Sequence, residues 1–342
     1  MDDLDVALVM YLEDEQSSEE ESRSEESELF KNRSSEGAFE ILVRRHLHCN
    51  DEKFRQYFRL TPVLFDYVLN NIREELTSKP YNRHKKPICP EEKLCILVRH
   101  LATGESFRSL AFQYRNQSSE NSGSLFYNYK DYHSMVMLAV VDADCKFTAV
   151  DVGSYGREGD AGIFLKSEIG RKIKNNTFNV PPPKALPGTD TVVPHVIVGD
   201  EAFALHQNLM KPYPRQQSLH DASKAVYNYR LPRARRTTEN AFGILCSYFR
   251  LFFRPISTAP ETTEKIIICA CILHNILREA KVLAPGQTHI DSALPLPVEN
   301  FLPLTEHNVR GTTNHTQIRE MFKNYFNGLG AVEWQKNYAM QH

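Results

Sequence analysis

No run of 18 or more apolar residues occurs anywhere in the 342-residue chain, which argues against a membrane-spanning helix. The N-terminus also lacks the positive charge that precedes the apolar core of a secretory signal, because Met1-Asp2-Asp3-Leu4-Asp5 is acidic. Cysteine is sparse and odd in number: the seven residues Cys49, Cys89, Cys95, Cys145, Cys246, Cys269 and Cys271 are scattered. That pattern fits reduced thiols of the cytosol or nucleus rather than a disulfide framework. There is no internal repeat, and no basic cluster stronger than Arg83-His84-Lys85-Lys86 to serve as a nuclear localisation signal.

What is present is an uneven charge. Residues 1–36 carry 13 acidic and 3 basic side chains, so a chain of net charge −2 leaves a body of +8. An acidic tail before a mildly basic body is compatible with nucleic-acid binding and equally with a solvated surface. The run Glu13-Asp14-Glu15-Gln16-Ser17-Ser18-Glu19-Glu20-Glu21 has too little apolar area to offset chain entropy, so residues 1–36 read as a disordered tail.

Residues 38–116 read as helical. Phe65, Val68, Leu69 and Ile72 recur at helical spacing behind Thr61-Pro62, a cap and first turn. Pro90-Glu91-Glu92 opens a second helix that Gly104 ends, and Ser106–Tyr114 starts a third, as at the front of a helix-turn-helix. Residues 123–281 read as a mixed core. Ser134–Val141 and Lys146–Gly153 flank the turn Asp142-Ala143-Asp144 as a β-hairpin, and Asp160–Ile169 reads as a helix. A proline-rich loop precedes the strand Val196–Val198, and Leu231-Pro232-Arg233 opens a helix through about Phe249. Residues 282–342 read as a loop followed by a docking helix, Ile318–Phe326.

Two carboxylates stand out. Asp200 ends the apolar run Val196-Ile197-Val198-Gly199, and Glu239 lies on the later helix. A strand-end Asp and a helix Glu are two of the three ligands that a two-metal nuclease requires. Blander roles are available: Asp200 as a cap, and Glu239 paired with Arg235 or Arg236. Arg233, Arg235, Arg236 and Arg250 could contact phosphates or simply form a solvated basic face. His84, Cys89, Cys95 and His100 are spaced too loosely for a convincing zinc site, and His274 reads as a core histidine.

Seven ordered motifs, from Ser124-Leu125-Phe126-Tyr127-Asn128-Tyr129-Lys130 through Val141-Asp142-Ala143, Asp151-Val152-Gly153, Gly199-Asp200-Glu201-Ala202-Phe203, Asn228-Tyr229-Arg230-Leu231 and Arg235-Arg236-Thr237-Thr238-Glu239-Asn240-Ala241-Phe242-Gly243 to Leu273-His274-Asn275, resemble the PIF/Harbinger transposase superfamily and its domesticated nucleases. The resemblance runs from about residue 55 to the C-terminus. It implies an α/β, RNase H-like DDE core behind an all-helical helix-turn-helix-like region. It implies DNA as substrate, Mg²⁺ or Mn²⁺ as cofactor, a Myb/SANT-like partner protein and a location in the nucleus or also the cytoplasm. Asp200 and Glu239 match the second and third catalytic, metal-holding carboxylates of the family.

The first family carboxylate has no counterpart. Its Asp-Gly-Lys-His-like strand should precede Tyr127, yet the chain passes from Leu110–Arg115 almost directly to Gly123-Ser124. The core is therefore expected to lack its first strand, and Asp160 is the nearest supporting carboxylate for a metal. The expectation is a Harbinger-derived nuclease homologue with impaired phosphodiester hydrolysis. The alternatives are a non-catalytic DNA- or protein-binding module on the same scaffold, or a truncated isoform or gene model of an intact nuclease.

Overall fold

The computed structural model describes residues 32–77, 87–115, 135–155, 160–281 and 315–335. Residues 1–31 of the acidic tail and the motif Ser124–Lys130 lie outside them, whereas Arg33–Glu36, expected to be disordered, form a short helix closed by the Gly37 amide on the Arg33 carbonyl. The chain divides into two compact units, one formed by Met1–Met135 with Phe242–Phe301, the other by Val136–Ala241 with Leu302–His342.

The described part of the first unit is helical. Asn50 caps the helix Asp51–Phe58 by accepting from the Lys53 amide. Thr61 caps Pro62–Leu76 by accepting from the Leu64 amide, with Pro62 in the first turn, where its missing N–H costs nothing. Pro90 opens Pro90–Thr103, and Gly104 closes it in the left-handed region at φ 68°. Ser106 caps Phe107–Tyr114. The apolar faces meet in a core around Phe54, Phe58 and Phe65, whose ring centroids lie 4.8–5.9 Å apart. Leu94, Val98 and Leu101 fill the same interior from Pro90–Thr103, and the buried helix Pro260–Glu279 adds Ile266, Leu273 and Leu277 to the unit's core. The apolar stripe of each helix thus explains its burial, and the caps set its ends.

The second unit mixes helices with short strands. Among the described residues the strands form three separate two-stranded sheets rather than one continuous sheet. β1 (Met135–Val141) lies beside β2 (Phe147–Tyr155). Two helices follow, Asp160–Lys166 and Glu168–Lys174, where a single helix is expected. The break is at Ser167, whose hydroxyl accepts from the Gly170 amide and starts the second helix. The proline-rich stretch also holds more structure than expected: β3 (Lys184–Ala185) pairs antiparallel with β4 (Val192–Val193) around Gly188 at φ 75°. β5 (Ile197–Val198) then pairs parallel with β6 (Leu209–Met210).

The helix expected to open at Leu231-Pro232 starts nine residues earlier and spans Ala222–Tyr248, with Pro232 inside it. Asp221 is the start signal, since its carboxylate accepts from the amides of Ser223 and Lys224. Pro232 removes one backbone bond but the helix continues, because tertiary contacts hold both sides of it. Tyr227 and Leu231 are buried with Tyr213, and Val198, Phe322 and Phe326 pack against them. Asn228 brackets the backbone of Tyr213, accepting from its amide and donating to its carbonyl, both at 2.8 Å. The C-terminal helix His315–Asn327 joins this cluster, and Tyr213 donates to Glu320 at 2.6 Å.

Candidate nuclease-like site

Asp200 sits two residues beyond the end of β5, on a loop held from three directions. Phe203 folds back over Gly199, where an added Cβ would lie 2.9 Å from its Cδ2. Phe164 meets the Phe203 ring edge-on at 5.1 Å. Lys211 donates to the carbonyls of Glu201 and Phe203 at 2.8 and 2.7 Å. The motif Gly199–Phe203 is thus a built turn, and its glycine is needed for the close approach of an aromatic ring. Lys211 is a positioning residue that the sequence signals only as one more surface cation.

Both Asp200 oxygens have neighbours. Oδ1 accepts from the Ala202 amide at 2.9 Å, so Asp200 caps its own turn rather than a following helix. Oδ2 lies 3.9 Å from Arg235 Nη1. Arg235 therefore faces Asp200 instead of pairing with Glu239. Both partners are partly exposed, so the pair contributes at most about 1 kcal/mol. Glu239 follows Arg235 by one helical turn, ~6 Å of rise, on the same face. It is exposed and forms no ion pair among the described residues. The helix Ala222–Tyr248 and β5 share the Tyr213–Tyr227–Leu231 cluster, and that packing brings the two sequence-distant motifs together.

Of the four arginines expected to face phosphates, the three on Ala222–Tyr248 divide. Arg233 lies over the Trp334 ring at 4.1 Å and donates to the Tyr229 hydroxyl at 3.1 Å. Arg235 is turned to Asp200, and Arg236 is exposed. Arg230 has a structural duty, donating to Gln335 Oε1 at 2.9 Å and lying 4.7 Å over Phe326. It ties the Asn228–Leu231 motif to the C-terminal segment.

The other acids have separate employment. Asp142 accepts from the amides of Asp144 and Lys146 in the hairpin turn. Asp151, on β2, accepts from the Glu168 amide at 2.8 Å and anchors the start of Glu168–Lys174. Asp151→Ala should therefore lower stability by about 0.5–2 kcal/mol in urea denaturation, the usual loss for a removed cap. A change below a few tenths would show that water replaces it freely. Asp160 is the first residue of Asp160–Lys166, and its side chain lies outside the described residues. No group of three His, Cys, Asp or Glu side chains capable of holding a metal exists among the described residues.

Among the described residues the donors do not fit a pair of divalent cations. Mg²⁺ requires a near-octahedral shell of oxygens, and two such ions require carboxylates that bridge or flank them. Here one Asp200 oxygen is engaged by an amide, the other faces a guanidinium, and Glu239 is the remaining carboxylate. The zinc reading fails on burial. Cys95 is fully buried in the helical core, where burial pushes its thiol well up, and His100 Nδ1 contacts the Glu105 carbonyl at 2.7 Å. His84 lies outside the described residues. His274 is fully buried, as expected for a core histidine.

Residues 111–275 match the family model described as DDE superfamily endonuclease. Among curated proteins, the chain is similar to "Protein ALP1-like" of Arabidopsis thaliana, 21% identical over 295 residues that cover 66% of this chain and 70% of that protein. No solved structure matches the chain. No helix among the described residues is long and apolar enough to cross a membrane. The matched region begins inside Phe107–Tyr114, ends in Pro260–Glu279 and contains both Asp200 and Glu239. Residues 111–275 therefore carry a DDE superfamily endonuclease domain, in keeping with the ordered motifs, and the chain is a distant relative of that ALP1-like protein.

Proposed function

We propose that this chain is a Harbinger-derived nuclease homologue that keeps nucleic-acid binding on an RNase H-like scaffold while phosphodiester hydrolysis is strongly impaired. The order hairpin, helix pair, strand leading to Asp200 and helix bearing Glu239 supports that ancestry. DNA, a Myb/SANT-like partner and nuclear residence belong to the same reading and rest on the family resemblance. Family chemistry is metal-dependent, and the described carboxylates of this chain do not complete a two-metal site.

The single observation that carries the impairment is the state of Asp200. Its oxygens are directed at the Ala202 amide and at Arg235, and Glu239 lies one helical turn beyond Arg235 on the same helix. A guanidinium beside the carboxylate supplies positive charge where a metal ion would have to bind. The reading is tested on supercoiled plasmid with Mg²⁺ or Mn²⁺. The expected result is nicking by the purified chain no faster than by its D200N/E239Q double variant. DNA binding in EDTA should survive in that variant. Nicking by the parent chain that Asp200→Asn abolishes would overturn the impairment and restore an active nuclease.

A further inference from the structure

The first unit holds a cluster of cations apart from the carboxylate pair, with Arg59 outside the family domain and Arg250 and Arg254 within it. An open notch of about 370 Å³ is lined by Arg59, Ala102, Thr103, Arg250, Phe253 and Arg254. Three of the six residues are arginines and none is acidic. The nearest acid in sequence, Glu105, is engaged by Ser109, whose hydroxyl donates to it at 2.7 Å.

The notch is built from regular local structure. Arg59 follows the helix Asp51–Phe58 in the left-handed region at φ 62°, with its amide bonded to the Arg55 carbonyl. Arg250 and Arg254 begin and follow the 3₁₀ turn Arg250–Phe253. That turn packs against the end of Pro90–Thr103 because Gly104 has no side chain. A Cβ there would come within 3.1 Å of Leu251 Cα and 3.3 Å of Arg254 Cδ. Arg99 stands behind the notch with its guanidinium 3.9 Å over the Tyr57 ring.

A helix-capping duty for these arginines would need hydrogen bonds from their guanidiniums to terminal carbonyls. Among the described residues Arg59, Arg250 and Arg254 make no side-chain hydrogen bond and no ion pair, whereas Arg99 donates to the Tyr57 carbonyl. Burial, and then the charges of Arg250 and Arg99, lower the pKa of Arg59. The group remains protonated, so the cluster carries like-charge repulsion that a bound anion would relieve. Guanidiniums bind phosphate oxygens in bidentate pairs.

The rim adds a second feature. Phe253 is 68% exposed, although it lies between the buried Leu251 and the arginines. A basic concavity with an open aromatic face is the arrangement that binds single-stranded nucleic acid, with phosphates on the cations and a base on the ring.

We propose that this notch binds a single strand of DNA, with backbone phosphates held by Arg59, Arg250 and Arg254 and an unpaired base stacked on Phe253. The inference rests on the reading of the chain as a nucleic-acid-binding protein, but it concerns a site outside the carboxylate pair.

The test is binding of an oligothymidine strand by the full-length chain in EDTA, titrated across salt. Replacing all three arginines by glutamine should reduce the slope of log affinity against log salt by about 2, at ~0.7 for each phosphate no longer neutralised. Phe253→Ala should weaken binding about fivefold or more while leaving that slope unchanged. R250Q/R254Q, at two exposed positions, gives the same direction should the triple variant unfold. Equal affinity and slope in parent and R250Q/R254Q would overturn the notch while leaving nucleic-acid binding elsewhere intact. No binding of any DNA by the parent would overturn both readings. Binding of duplex or of inorganic phosphate alone, with oligothymidine ignored, would overturn the single-strand assignment.

Discussion

Tyr227→Ala should cost the protein about 3–5 kcal/mol of stability, the range for truncating a fully buried aromatic side chain. Tyr227 has no exposed surface and sits at the centre of its cluster. Its ring meets Tyr213 at 5.2 Å, nearly edge-on, and Phe326 at 6.0 Å. Three elements meet there: the helix Ala222–Tyr248, the segment after β6, and the C-terminal helix His315–Asn327. A cavity at this point has no single neighbour that can close it. Tyr227→Phe should behave oppositely. The hydroxyl has no hydrogen-bond partner among the described residues, and burial raises its pKa. Removing it should leave stability unchanged or raise it by up to about 1 kcal/mol. Urea denaturation of the full chain distinguishes the two, with an unchanged m-value confirming that the denatured state is the same. A loss under about 1 kcal/mol for the alanine variant would show that the cluster does not bear load. The same cluster aligns the site, because Val198 precedes Asp200 by two residues and Leu231 precedes Arg235 by four.

The second large effect is at a glycine. Gly170→Ala should destabilise by about 3 kcal/mol or more, at the upper end for forced overpacking. The new Cβ would lie 1.7 Å from the carbonyl oxygen of Phe164 and 2.7 Å from its carbon. These are backbone atoms at the corner between Asp160–Lys166 and Glu168–Lys174, so no rotamer change relieves the clash. The Gly170 amide also donates to Ser167 Oγ at 2.9 Å, and displacement would break that cap. Gly162 is the internal control. It lies in the preceding helix with nothing within 4 Å of an added Cβ. Gly162→Ala should stabilise by about 0.5–1 kcal/mol through helix propensity alone. Thermal unfolding of both variants provides the comparison, and a Gly170→Ala protein as stable as the parent would show that the corner can open. Because Phe164 packs on Phe203, opening the corner would also loosen the Asp200 turn.

Local chemistry made much of this protein legible in its sequence. Thr61-Pro62, Gly104 and Ser106 mark helix ends through hydrogen bonds that span at most four residues, and all three act where their spacing predicts. The apolar run before Asp200 forms a strand, paired in parallel with Leu209–Met210, and the ordered motifs agree with the DDE endonuclease match of residues 111–275. One local signal was outranked. Pro232 resembles a helix start, yet Asp221 begins the helix, and the buried contacts of Tyr227 and Leu231 carry it through the proline.

What lay beyond the sequence depends on residues far apart in the chain. Whether Arg235 turns to Glu239 or to Asp200 cannot be read from helix spacing, because either acid is within a side chain's reach. Packing of β5 and the helix on one apolar cluster decides it. Lys211 becomes a clamp only after β6 is seated beside β5. Arg59 and Arg250 meet only because Gly104 admits a distant turn to the end of a helix. The sequence by itself determined the ends of the N-terminal helices and the strand before Asp200, since short-range hydrogen bonding and periodicity set those. Only the tertiary structure decided which charges face one another, because that follows from side-chain burial between elements that chain order does not place together.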